Sequence, residues 1–223
     1  MEIFLVDTET TGVGSTDKVC EIAYREIDID FNIVAQHESL INPGKHIPPG
    51  ASAVNGITDD MVVEAPTLDE YMASHGTKLR GDNVLFIAHH SAFDFRFLKE
   101  HLHENTVQLC TLKCSRRLYP NLETHKQAAL AYHFGFPMDR SKAHSAGGDL
   151  DVLLHLLKQL VADNGGTILD LLELQTKPIP NQKIGFGKHK GTLLKNLPKD
   201  YVHWLLNKTE NLDPELRVAL EAL

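Results

Sequence analysis

Five short apolar runs occupy the first 112 residues of this chain, and the gaps between them leave few folds open. Residues 2–6, EIFLV, are strand formers that stop at the turn Asp7-Thr8-Glu9-Thr10-Thr11-Gly12. VCEIAYREID (residues 19–28) alternates, and FNIVAQHESLINP (residues 31–43) comes after a short gap. Three successive strands so close together predict an antiparallel meander. NVLFIAH (residues 83–89) is apolar throughout, as suits a strand covered on both faces, and VQLCTL (residues 107–112) is a further strand.

Helical patterns separate and follow these runs. Pro43, Pro48 and Pro49 are expected to break the chain. Thr58 suits the N-cap of a helix starting at Asp59–Met61, and Thr67 that of one running to His75. SAFDFRFLKEHLHE (residues 91–104) places Phe93, Phe97 and Leu98 on one side of a helix. KCSRRLY runs as a helix to Pro120, HKQAALAYHFGF stops at Gly135, and GGDLDVLLHLLKQLVADN (residues 147–164) stops at Gly165-Gly166. Strands followed by alternating helix and strand predict an α/β domain with helices on the faces of its sheet. QTKPIPNQK (residues 175–183) has two prolines and no periodicity, and reads as a linker between a domain of residues 1–174 and a small C-terminal module of residues 184–223.

No apolar run approaches the ~20 residues that a membrane-spanning helix needs, so no membrane partner is expected. The chain opens Met1-Glu2 with no basic segment, which reads as a first strand rather than a secretory signal and points to the cytoplasm. Cys20, Cys110 and Cys114 are odd in number and fall at neither a framework nor a zinc spacing; reduced, mostly buried thiols are expected. The formal charge of −8 is unevenly spread: residues from Lys183 onward carry +2 and the preceding residues −10. An acidic chain can still bind a polyanion when cations neutralise its site. With few basic side chains for phosphates, its grip should be weak, and it should dissociate after one or a few cuts.

Asp7 and Glu9 are two apart near the end of a strand, so their side chains share a face. Two such carboxylates repel unless a cation lies between them, and an all-oxygen donor set suits Mg²⁺ or Mn²⁺. Alone, the pair is equally a solvated turn. Asp94 follows Phe93 in the first turn of a predicted helix, and Asp149 enters the long helix five residues after His144. Taken singly, each acid reads as a partner of a helix dipole. His144, one of 13 histidines, reads singly as a surface loop residue. Together, these groups occur in order at the ends or starts of predicted elements.

In that order they resemble the DEDD family of 3′→5′ exonucleases, in its subclass with a histidine. DTETTG (residues 7–12) is similar to the family's first motif, the Phe93-Asp94 of HHSAFD to its second, and HSAGGD (residues 144–149) to its third, H-x4-D. The likeness covers residues 2 to about 164. LCTLKCSRRLYP and FGKHKG…YVHWLLN…LDPELRVAL resemble bacterial DNA exonucleases of this family with the same two-part layout, which extends the likeness over nearly the whole chain. The chain departs from the family at His90, where Asn is common, and at Asn55, where relatives often have His.

The resemblance implies a ribonuclease H-like mixed sheet with antiparallel first strands, flanking helices and a small C-terminal module. It implies that Asp7, Glu9, Asp94 and Asp149 hold two Mg²⁺ ions, with Mn²⁺ able to substitute, and that His144 is the general base. It further implies that Thr10 to Gly12 hold a terminal 3′-OH, that Val13 stacks on or wedges the last base, and that Ile57 and Phe93 flank the terminal nucleotides. For Val13 and Phe93 the competing reading is core packing. The implied reaction releases nucleoside 5′-monophosphates from DNA 3′ ends, single-stranded or in frayed duplex, as in DNA repair.

Other functions fit the same residues. An RNA exonuclease of the family would differ only in the pocket around the 2′-hydroxyl. A polymerase-associated proofreading protein would use the same site, and a non-catalytic nucleic-acid-binding protein the same fold. Against the last, all five site residues are kept. In the C-terminal module, Lys183, Lys188, Lys190 and Lys195, with Phe186 and His189 among them, suggest a small nucleic-acid contact. Gly185, Gly187 and Gly191 suggest a short hairpin, and Tyr201, Trp204, Leu205, Leu216 and Leu220 its small core.

Overall fold

A computed structural model describes residues 1–137, 145–209 and 212–223. Five strands form one mixed sheet: β1 (Glu2–Thr10), β2 (Val19–Ile27), β3 (Ile33–Leu40), β4 (Val84–Ala88) and β5 (Val107–Cys110), in the order β3-β2-β1-β4-β5. β1 pairs antiparallel with β2, and β2 with β3, which is the expected meander. β4 lies parallel to β1, and β5 parallel to β4. β1 is therefore central, and it extends past EIFLV to Thr10, so Asp7 and Glu9 stand within the strand and not in a turn after it.

The period of two along β1 divides the molecule. Ile3 and Leu5 face a core with Leu150, Leu153 and Leu157 of α7 (Ala146–Asn164). Phe4 and Val6 face the opposite core, with Tyr71 and Met72 of α3 (Leu68–Ser74) and Leu98 of α4 (Ser91–Leu98). Every residue of β4 is buried, as expected for a strand covered on both faces. Asp7 and Glu9 continue the row of Ile3 and Leu5, so they stand on the side where α7 begins.

Several helices are placed as anticipated. α2 (Asp59–Val62) starts after Thr58, although the Thr58 hydroxyl bonds Asp60 and makes no cap bond. Thr67 caps α3 in a reciprocal capping box with Glu70. α5 (Thr111–Leu118) and α6 (Gln127–Phe134) come after β5, and Gly135 and Gly165 end α6 and α7 in the left-handed conformation.

Other expectations need correction. The proline-rich stretch does not simply break the chain: Pro49 opens α1 (Pro49–Asn55), because a ring at the first helical position removes only an N–H that has no partner there. The helix from Ser91 gives way at Leu98 to a 3₁₀ turn, Lys99–His101. α8 (Ile168–Leu174) was not anticipated; Thr167 and Asp170 cap it reciprocally.

The C-terminal residues build their own core from Ile184, Leu194, Leu197, Tyr201, Leu205, Leu212, Leu216 and Leu220, around α9 (Lys199–Lys208) and α10 (Pro214–Glu221). The expected short hairpin is present: one antiparallel bridge, Lys183 to Leu193, with the Ile184 N–H donating to the Thr192 carbonyl and the Leu194 N–H to the Gln182 carbonyl, closes a loop in which Gly187 and Gly191 have positive φ. Trp204 does not join this core but is 49% exposed. The carboxylate of Glu215 binds Arg116 at 2.9 Å and Arg117 at 2.8 Å, which ties α10 to α5. No described helix is long and apolar enough to cross a membrane.

Candidate active site

The side chains of Asp7, Glu9 and Asp149 each offer an oxygen, and these atoms all lie within 4.8 Å of one another. β1 supplies the first two on one face, and the first turn of α7 supplies the third. Asp94 stands beside them in the first turn of α4, 3% exposed, where one oxygen accepts bonds from the Thr8 N–H at 3.1 Å and the Thr8 hydroxyl at 2.8 Å. All four predicted carboxylates thus come from three elements meeting at the end of β1. His144 lies outside the described residues.

The cluster is electrostatically costly. Burial first, then the charges of Asp94, Asp149, Glu9 and Glu21, push the Asp7 carboxyl well above the usual carboxylate range. Burial, then Asp149, Glu21 and Asp94, raise Glu9 to about 8, opposed by a hydrogen bond from Asn55. Burial likewise raises Asp94, while its bonds from Thr8 pull the other way. A cation among these groups would offset both the cost of burial and the repulsion. An all-carboxylate donor set this close together fits a hard divalent metal ion.

The placement of Asp149 depends on two residues that the sequence did not single out. Glu21 and Arg25 lie on the face of β2 that also carries Ala23 and Ile27, buried against α7. The Glu21 carboxylate accepts the Ala146 N–H at 2.8 Å. Arg25 donates to the Gly147 carbonyl at 3.2 Å and to Asp151 at 2.7 Å. Ser145 caps the helix by accepting from the Gly148 N–H at 3.2 Å. A Cβ on Gly147 would collide with the Glu38 carboxylate. The available signal was two charged residues, Glu21 and Arg25, on the strand face that also carries Ala23 and Ile27.

Beyond β1 the chain turns tightly. The Thr10 hydroxyl donates to the Gly12 carbonyl at 2.8 Å, and a Cβ on Gly12 would stand 2.5 Å from Asp17. Asp17 gathers the turn by accepting from the Gly14 N–H, the Thr11 hydroxyl and Lys45. Val13 is 78% exposed, not core. Its carbonyl accepts from Arg96 at 2.9 Å, and the Arg96 guanidinium lies 4.7 Å from the ring centre of half-buried Phe93. Ile57 is 3% exposed and packed with Cys20, Ile47 and Val62.

His90 holds a left-handed backbone at φ 75° where α4 begins. Asn and His both tolerate that region better than most residues. The neighbouring His89 is tied up: its ring nitrogens meet the Thr111 hydroxyl and the His125 carbonyl, and burial lowers it to about 4.

A family model described as Exonuclease matches residues 4–157, and one described as a quorum-sensing-regulated virulence factor matches residues 172–213. Exodeoxyribonuclease 10 of Escherichia coli K12 is 28% identical over 225 residues, covering 97% of this chain and 96% of the relative. DNA polymerase III subunit epsilon of Treponema pallidum is 32% identical over 167 residues, covering 70% and 74%. Among solved structures, Exonuclease X in complex with 5′ overhanging duplex DNA superposes with a TM-score of 0.65 at 25% identity, over 78% of this chain and 99% of that one. E. coli Exonuclease I in complex with a dT13 oligonucleotide, at 15% identity over 74% of this chain and 42% of its own, shares the fold with a TM-score of 0.64.

Proposed function

This chain belongs to the exonuclease family, and on that premise we propose that it is a metal-dependent 3′→5′ exonuclease releasing nucleoside 5′-monophosphates from DNA ends, with a role in DNA repair in the cytoplasm. The observation that carries the reading is the mutual approach of Asp7, Glu9 and Asp149 within 4.8 Å, with buried Asp94 alongside. Residues 1–174 would form the nuclease domain, joined by residues 175–183 to the module of residues 184–223.

Asp7, Glu9, Asp94 and Asp149 would hold two Mg²⁺ ions, with Mn²⁺ able to substitute, which when bound acidify water and offset charge on the leaving oxygen. The chain's own residues do the rest. His144 takes the proton of the attacking water, a task suited to an imidazole near neutral pH. Thr8 orients Asp94 through its hydroxyl and N–H. Backbone groups of Thr10 to Gly12 hold the terminal 3′-OH. Exposed Val13 meets the last base and Phe93 flanks it, braced by Arg96. The bond broken is P–O3′: the phosphate leaves on the 5′ carbon of the released nucleotide, and the shortened strand keeps a 3′-OH.

The test uses 5′-labelled single-stranded DNA and RNA of matched sequence, with Mg²⁺ or EDTA, and Asp94→Ala and His144→Ala variants alongside. A Mg²⁺-dependent ladder on DNA that both substitutions abolish is expected. A ladder on RNA alone moves the chain to RNA substrates, and no ladder from folded protein refutes the enzyme reading. The likeness to polymerase III subunit epsilon favours one second reading, a proofreading protein; co-purification with a polymerase core would distinguish it.

A further inference from the structure

We propose that the face of the C-terminal module formed by the Phe186–Gly191 loop and α9 binds single-stranded nucleic acid, with Trp204 stacking on a base and Lys188 and Lys190 meeting phosphates. This gives the substrate of the proposed nuclease a second hold, away from the carboxylates.

The module has three side chains of the Phe, Tyr and Trp kind, and two of them stand outside: Trp204 is 49% exposed and Phe186 41%. Trp204 is also held in place, its ring stacked on Tyr201 at 5.7 Å and 15°. The loop is fitted to the same ring. His189 stands edge-on to Tyr201 at 4.5 Å, and the Lys188 ammonium lies 5.3 Å from its centre. Gly187 permits this approach, since a Cβ there would collide with the Tyr201 hydroxyl. Basic groups and flat rings are thereby held side by side, the combination that tracks a backbone while stacking bases of any sequence. Bases inside a duplex have both faces already stacked, so an exposed ring favours the free faces of a single strand.

Charge supports the same partner. Residues 183–204 carry five lysines and one aspartate. Among the described residues, none of Lys183, Lys188, Lys190, Lys195 and Lys199 makes an ion pair, whereas Asp213, Glu215 and Glu221 pair with arginines. The uncompensated charge suits a polyanion. A cavity of about 770 Å³ between the module and the nuclease body is lined by Lys195 and Lys113, and also by Ser91 and Ala92, which open the helix that carries Asp94. Lys195 and Lys113 thus place two basic groups on the walls between the module and that helix.

Trp204 is the only tryptophan in the chain, so its emission reports this face alone. The full-length protein is titrated in EDTA with a dye-labelled oligothymidylate, following both tryptophan emission and DNA anisotropy. Emission should change saturably with the anisotropy. Trp204→Ala should weaken binding about 5- to 100-fold, the loss of one stacked base, and Trp204→Phe should restore most of it. A Lys188→Ala/Lys190→Ala variant keeps the ring and should flatten the slope of log K against log salt by about 1.4, or about 0.7 per phosphate on a single strand. Anisotropy that saturates with unchanged emission overturns the proposal and leaves the rings to a protein partner, as does an unaltered salt slope. Because no cutting is measured, either result is independent of the nuclease reading.

Discussion

Glu9 has its carboxyl at about 8 in the folded chain, against 4.5 for a free side chain. Between those pH values the folded protein keeps the proton and the unfolded chain has released it, so stability falls as pH rises from about 4.5 to about 8. Asp7 is shifted in the same direction. Metal-free protein should therefore melt at a lower temperature at pH 8 than at pH 5, and Mg²⁺ should raise the melting temperature more at pH 8. Thermal scans with and without EDTA check this, and an equal effect of Mg²⁺ at both pH values would contradict it. Asp94→Asn separates charge from shape, because the amide keeps an oxygen to accept from Thr8. It should lower kcat at least about a hundredfold, as expected when several kcal/mol of metal-held charge stabilisation is lost. Above about pH 7, where Asp94 carries its charge in the folded chain, the same variant should melt higher than the parent in EDTA, since one repelling charge is gone.

The helix that presents Asp149 is held by side chains of the adjacent strand. Arg25→Met removes the bonds to the Gly147 carbonyl and Asp151 while filling similar volume. It should cost about 1–3 kcal/mol, the range for a lost bond to a charged group, because Asp151 is half exposed and readily rehydrated. Urea unfolding measures the stability and a nuclease assay the displacement of Asp149; kcat should fall with KM little changed. α1 is likewise set by its surroundings. Proline spacing alone suggested a break, but Pro49 sits at the first helical position, where its ring fits, and the Asn55 side chain at the helix end bonds the Thr10 carbonyl. A proline stops a helix when it falls inside one and starts a helix when the residues C-terminal to it can continue the turn.

At the scale of the whole molecule, the nuclease body and the C-terminal module are joined through Glu215, whose two arginine partners come from α5. Arg117 has a side chain only 7% exposed, so Glu215→Ala leaves a buried charge short of its partner. Limited proteolysis should then cut faster between residues 175 and 183, and unchanged cleavage would show that the remaining contacts, the Asp213–Arg116 pair among them, suffice to hold the module. Much of this architecture was legible beforehand, because each element carries its own period. The five strands, the long helix to Asn164 and the shared face of Asp7 and Glu9 all follow from spacing and from glycine and threonine punctuation. The seven residues of α8 complete too few turns to show a period, and its one local signal is the Thr167–Asp170 cap, of the kind that marks α3 at Thr67 and Glu70.

The sequence by itself determined which side chains share a face, since strand and helix periods are local properties of the backbone. It therefore settled that Asp7 and Glu9 stand together and that Asp149 opens a helix. Only the tertiary structure decided what each face meets, because that depends on packing between segments distant in the chain. Long-range packing brings Asp94 to Thr8, 86 residues away, and sets Glu21 and Arg25 to hold the start of α7. It also buries Ile57 while leaving Val13 and Trp204 in solvent. An apolar residue has the same hydrophobicity in either place, and only the neighbours that arrive in the fold decide whether it becomes core or contact.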